Sequence, residues 1–270
     1  MIYFIEGFMG VGKTTYATNL FNEMKRSGEN VFLFNEHMSE NQLDFTRKAV
    51  LSRKQFEQVK KYYCEICSKL DKKLKQDNLS TFFRSVKPCG RKQIIAFAEW
   101  DLQEPNIRKL AIELSKHEIC NGIVNCDDYL GYLEYQWQSQ LKTFKDDSIY
   151  IFEGALLQNI LLDLIGFYVL SDEQIVSFYR RLLHGWSKKD IKVVRIVTKN
   201  IKNILLFADE ERKGNGGWLS IFNEWLKNSN YAKEYVNEKC NVISFCEELQ
   251  RIEELVVKEL VLNEEVIERM

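Results

Sequence analysis

Four short apolar runs, Ile2 to Ile5, Val31 to Phe34, Ile149 to Phe152 and Val193 to Val197, are each followed by apolar positions that recur every three or four residues. Short apolar runs bounded by breaks predict buried strands, and the three-to-four spacing predicts amphipathic helices. Strands that alternate with helices predict an α/β fold around a parallel sheet. A long insertion separates the second run from the third. Within it, Phe56, Val59, Tyr63, Ile66, Leu70 and Leu74 form a stripe that predicts one helix over 52–76. The stretch "KPCGRKQIIAFAEWDL" predicts a turn and then a strand, and 107–115 a short helix. In the helix that comes next, Leu130, Leu133, Trp137, Leu141 and Phe144 face a core; Asp128, Tyr132, Tyr135 and Ser139 lie on the other side, with Gln136 at the border.

The chain has only two prolines, Pro88 and Pro105, and no Ser/Gly-rich linker, which favours one domain over 1–270. Its core is expected over 1–38 and 146–262, with an inserted helical region over 39–145. The 38 basic and 39 acidic side chains are intermixed and leave a formal net charge of -1. No long-range field would then gather nucleic acid or a membrane surface, so the expected partner is a small-molecule acceptor, with room for a homodimer. The first apolar run lacks the length and basic flank of a secretory signal, and no run reaches the roughly 18 apolar residues of a membrane span. A cytoplasmic location is expected. Seven cysteines, an odd number, fit reduced thiols better than a disulfide framework. Cys64 and Cys67 form a Cys-x-x-Cys inside a helical pattern, without the second pair or histidine that a zinc site requires.

The most specific chemistry lies in "FIEGFMGVGKTTYATNLF". It fits G-x-x-x-x-G-K-[ST] through Gly7, Gly12, Lys13 and Thr14, with Gly10, Val11 and Thr15 completing the loop. Glycines let backbone N–H groups curl around a β-phosphate, the lysine neutralises β/γ oxygens, and the threonine hydroxyl ligates Mg²⁺. The context agrees, because a strand precedes the loop and a helix with Ala17, Leu20, Phe21 and Met24 on one face continues it.

Ligands of such sheets sit at the carboxyl ends of the strands, where two acids fall. Glu36 follows "VFLFN", and Glu153 closes "IYIFE". One division of labour gives Glu153 the magnesium side and makes Glu36 the base that takes a proton from an acceptor hydroxyl. A rival acidic strand end, Glu99 and Asp101 in "AFAEWD", lies inside the insertion and is assigned to the acceptor side or to plain surface. Downstream of the fourth run, Arg212 to Gly217 reads as a basic, glycine-rich hinge between helices. It could close over a nucleotide and place Arg212 on the phosphoryl group in flight.

In this order the features resemble the nucleoside and nucleotide kinase group of P-loop proteins, in the thymidylate kinase and deoxynucleoside kinase neighbourhood. The chain looks nearest to a bacterial branch of kinase-like proteins without an assigned substrate. There, a Trp-containing helix precedes a strand ending in Phe-Glu and then Leu-Gln-Asn, here Trp137, Phe152-Glu153 and Leu157-Gln158-Asn159. The resemblance implies the P-loop NTPase three-layer sandwich, with a central parallel sheet and a large helical insertion between the second and third core strands. It implies Gly7, Gly12, Lys13 and Thr14 as nucleotide ligands, Glu36 as base, Glu153 as magnesium-side acid and Arg212 as lid arginine, with ATP and Mg²⁺ as cofactors. The chain departs from deoxynucleoside kinases in having Gly154 and Ala155, not arginine, after the third-strand acid. Those kinases carry a base-reading glutamine before that strand. Gln136, Gln138 and Gln140 lie there in this chain, in a helix bordering the surface, and are expected to face solvent. A fifth core strand is normal for the group. After the acidic helix over 247–260 only "VLNEEVIERM" remains, so that strand is expected to be short, irregular or absent.

The expected function is ATP-dependent transfer of the γ-phosphate to a hydroxyl or phosphate of a small molecule, most readily a nucleoside or nucleotide. An antibiotic or metabolite kinase on the same scaffold, or a non-kinase regulatory NTPase, stays open. A GTP switch would carry a guanine-reading Asn-Lys-x-Asp segment, which the sequence lacks.

Overall fold

The computed structural model of the protein describes residues 1–270 except 37, 39, 187–188, 213–216, 235–240 and 270. In chain order the elements are β1 (Ile2–Glu6), α1 (Lys13–Arg26), β2 (Val31–Phe34), β3 (Lys48–Ser52), α2 (Arg53–Ser68), α3 (Lys72–Arg84), β4 (Val86–Cys89), β5 (Lys92–Ala96), α4 (Pro105–Ser115) and α5 (Cys126–Leu141). They continue with β6 (Ile149–Glu153), α6 (Gln158–Gly166), α7 (Asp172–Leu182), a 3-10 turn (His184–Trp186), β7 (Ile191–Val197), α8 (Ile201–Glu211), α9 (Trp218–Asn228), α10 (Asn230–Glu234), α11 (Val242–Glu259) and β8 (Asn263–Glu268).

The chain divides into two compact units, one of 1–35 with 138–270 and the other of 36–137. The first is an α/β unit built on a five-stranded sheet in the order β2-β6-β1-β7-β8, parallel at every pairing. Its inner strands are short and apolar because helices cover them: Phe4, Ile5, Ile151, Phe152, Val193 and Val194 are all fully buried. Aromatic rings tie the strands side by side, with Phe152 stacked 5.6 Å from Phe4 and 4.8 Å from Phe34. Helix α1 packs on β1, β2 and β6, and α11 packs against α6, α7 and α8.

The expected weak or missing fifth strand is corrected by β8, six residues paired in register with β7 from Lys192↔Asn263 to Val197↔Glu268. It is an edge strand, so one side bonds to β7 and its side chains stay largely exposed.

The second unit is not purely helical. It contains a three-stranded antiparallel sheet, β3-β5-β4, and a core of its own in which Tyr63, Phe82 and Trp100 pack ring against ring at 4.6 to 5.8 Å. The single helix expected over 52–76 is two. Ser52 opens α2 with a reciprocal capping box to Gln55, and Asp71 opens α3 by accepting from the N–H groups of Lys73 and Leu74. Gln136 and Gln140, expected to face solvent, are buried, and Gln138 is half-buried. Each amide N–H group finds a local acceptor: Gln136 donates to the Pro88 carbonyl at 3.2 Å, Gln138 to the Leu182 carbonyl at 3.4 Å and Gln140 to the Thr143 hydroxyl at 3.0 Å, while Gln140 Oε1 is buried without a donor. Among the described residues no helix is long and apolar enough to cross a membrane.

Candidate functional site

Strand β1 leaves the sheet at the edge where β6 and β7 also end, with Ile5 level with both Glu153 and Val194 and Glu6 level with Arg195. The Gly154 N–H donates to the Ile5 carbonyl at 2.9 Å, which fixes the exit of β6 against β1. The turn over 7–12 follows. Gly7, Gly10 and Gly12 have φ of 131°, 86° and 97°, a region that side chains with a Cβ rarely adopt. Space enforces the same choice. A Cβ on Gly7 would lie 2.3 Å from the Ile196 carbonyl oxygen, and one on Gly10 would lie 2.8 Å from the Ala208 Cβ. The turn is therefore pressed against β7 and α8, while Val11, 1% exposed, anchors its middle. Gly12 is the N-cap of α1 and contributes no side-chain cap, so the first N–H groups of that helix are left for another acceptor.

Lys13 and Thr14 open α1. Lys13 is 5% exposed; its Nζ donates to the Phe8 carbonyl at 3.3 Å and to Gln158 Oε1. A cation thus lies folded over its own glycine turn. Thr14 Oγ1 donates to Glu153 Oε1 at 2.5 Å, joining the first turn of α1 to the end of β6. Glu153 is 4% exposed, whereas Thr14 and Thr15 are exposed. The structure thus brings Gly7, Gly10, Val11, Gly12, Lys13, Thr14, Thr15 and Glu153 to one edge of the sheet.

Beneath them lies a group of charges that sequence reasoning missed. Glu6, fully buried, accepts from the Leu156 N–H at 2.8 Å and the Gln158 N–H at 3.0 Å. It thereby holds the turn that presents Gln158 to Lys13. Burial pushes the Glu6 carboxyl up to about 8, against the pull of those N–H groups and with some help from the charge of Glu253. Glu253 of α11, also fully buried, is pushed by burial to about 7, and the charges of Arg195 and Lys13 oppose the shift. Its carboxylate lies 3.8 Å from Arg195 Nε and accepts no hydrogen bond, while Arg195 Nη1 takes Glu264 at 2.8 Å. The one signal for Glu6 in the sequence is its place, an acid closing an apolar strand just before the glycines.

Other expected residues fall elsewhere. Glu36 follows β2 by two residues, half-buried, and is the first residue of the second unit. Glu99 receives Arg84 Nη2 at 3.0 Å, and Asp101 Oδ1 receives the Gln103 N–H at 3.1 Å, so the rival acids have partners within their own unit. Arg212 closes α8, exposed, with its guanidinium 6.0 Å from the centre of the Trp218 ring. Most of the expected hinge, 213–216, lies outside the described residues. Cys64 and Cys67 are free thiols, and among the described residues no cluster of three His, Cys, Asp or Glu side chains could hold a metal ion.

No protein-family model matches the chain, and no curated protein matches it. Among solved structures the chain is similar to that of the YGR205w protein, at 14% identity, over 96% of this chain and 77% of that one, with a TM-score of 0.28. A likeness so slight carries no argument, and the fold rests on the chain's own topology.

Proposed function

We propose that the protein is a P-loop, ATP-dependent phosphotransferase that delivers the γ-phosphate to a small-molecule acceptor, with a nucleoside or nucleotide as the favoured class. The single observation that carries this reading is the conjunction at residues 7–14. A glycine turn with three positive-φ positions runs into an uncapped helix N-terminus, with a buried lysine over the turn and a threonine hydroxyl 2.5 Å from a strand-end carboxylate. Backbone donors, a lysine and a hydroxyl with a carboxylate are what a triphosphate and its metal demand.

The residues fit Mg²⁺, which uses one or two protein oxygens and takes the rest of its shell from phosphate and water. Thr14 and Glu153 would hold it, and the ion would neutralise charge on the phosphate oxygens. In this reading Lys13 exchanges the Phe8 carbonyl and Gln158 for phosphate oxygens, Glu36 takes the acceptor's proton, and Arg212 meets the transferring group.

Titration with Mg·ATP tests the phosphate site. Lys13→Ala removes a charge-assisted contact, and the expected loss of affinity is about 10- to 150-fold with the fold retained. Parent-like affinity in a folded Lys13→Ala would remove the phosphate site, and with it the reading.

A further inference from the structure

Beside the glycine turn lies a second cation. Arg269 follows β8, its N–H donating to the Val197 carbonyl at 2.8 Å, so that it extends the pairing with β7. Its Nη1 donates to the Gly10 carbonyl at 3.3 Å. The guanidinium also lies over Gly12, since a Cβ on that glycine would come within 2.7 Å of Nη1. The neighbouring acid is engaged elsewhere, because Glu268 pairs with Lys199 at 2.9 Å. Among the described residues no carboxylate pairs with Arg269, and one long hydrogen bond leaves most of its donors open.

The position is electrostatically costly as it stands. A helix N-terminus carries partial positive charge and favours anions, so a cation set against the N-cap of α1, one residue from Lys13, adds like charge to like. A polyphosphate reverses that balance. A guanidinium is also suited to it, because its forked donors match phosphate oxygens.

We propose that Arg269 is a second phosphate-binding cation of the site and that it holds the part of the phosphate chain that ATP and ADP share. The proposal rests on the phosphate-loop reading above. It adds a nucleotide ligand from the segment after β8, which touches the turn at Gly10 and Gly12, the positions next to the helix N-terminus.

The test compares binding of ATP, ADP and adenosine to the parent, Arg269→Met, Arg269→Lys and Lys13→Ala across a range of NaCl. Arg269→Met is expected to weaken ATP and ADP by a similar factor, on the order of tenfold, and to leave adenosine unchanged. It should also flatten the salt dependence, which Arg269→Lys should partly restore. Parent-like ATP and ADP affinity in Arg269→Met, alongside weakened binding in Lys13→Ala, would overturn the role of Arg269 and leave the phosphate loop standing. Unchanged binding in both variants would overturn both. A measurement on the parent protein covers the case in which Arg269→Met does not fold. Phenylglyoxal modification of Arg269, mapped by mass spectrometry, should be blocked by ATP and ADP but not by adenosine. Equal modification with and without ATP would overturn the proposal.

Discussion

Lys13 is a buried cation that donates to the Phe8 carbonyl and the Gln158 amide, both of them uncharged. Deeper in the unit lies Glu253, whose carboxyl the charge of Lys13 pulls downward against the push of burial. Glu6 contributes differently, by holding the Leu156 and Gln158 N–H groups and so the position of the Gln158 side chain. Both acids keep their protons to a higher pH in the folded chain, about 8 for Glu6 and about 7 for Glu253, than the ordinary carboxyl value of 4.5. Between those limits the folded state binds more protons than the unfolded one. The stability the two groups contribute is therefore complete below about pH 4.5 and is lost as pH rises toward 7 to 8, at no more than about 1.4 kcal/mol per pH unit for each. Urea unfolding of the parent between pH 5 and 9 should display that fall, and Glu6→Gln and Glu253→Gln should each flatten it. A parent-like slope in both variants would mean that the two acids are ionised across the range.

At the scale of elements, the glycine turn depends on what β7 and α8 press against it. Gly10→Ala must hold a Cβ at φ 86° and 2.8 Å from Ala208. Left-handed strain and overpacking together should lower unfolding stability by about 2–4 kcal/mol. Ala208→Gly in the same chain should recover the packing part and leave the strain; a neutral Gly10→Ala in thermal or urea unfolding would contradict this account of the turn. The turn was legible in the sequence because its glycines and lysine have a fixed spacing, and β1, β2, β6 and β7 because each is a bounded apolar run. Strand β8 was not. Its "NEEVIE" pairs on one side only, so it carries the acidic, exposed pattern of an edge and not the apolar run of an inner strand. The break between α2 and α3 was hidden because it contains neither glycine nor proline, and only the Asp71 cap marks it. Gln136 and Gln140 read as surface because periodicity cannot register that a buried amide has found its carbonyl or hydroxyl.

At the scale of the whole molecule, the residues that converge on the site come from across the chain. Glu153 meets Thr14 over 139 positions, and Arg269 meets Gly10 over 259. Glu153 was still visible, as the acid closing an apolar strand. Arg269 gave no sign, because only the register of β8 on β7 carries it to the turn. The 36–137 unit has its own sheet and aromatic core; of its strands, β5 was legible as the apolar run after the turn at Gly90, whereas β3 and β4 were obscured by the longer helical patterns around them. In the proposed reaction a γ-phosphoryl group held at residues 7–14 passes to a small acceptor. Its most direct test is incubation of the protein with [γ-³²P]ATP, Mg²⁺ and a panel of nucleosides, nucleotides and hydroxylated metabolites, followed to the labelled product. Label is expected on an acceptor, abolished in Lys13→Ala and slowed by about two to four orders of magnitude in Glu36→Gln. Label appearing only as inorganic phosphate, at one rate whatever acceptor is present, would contradict it and leave a nucleotide hydrolase in its place.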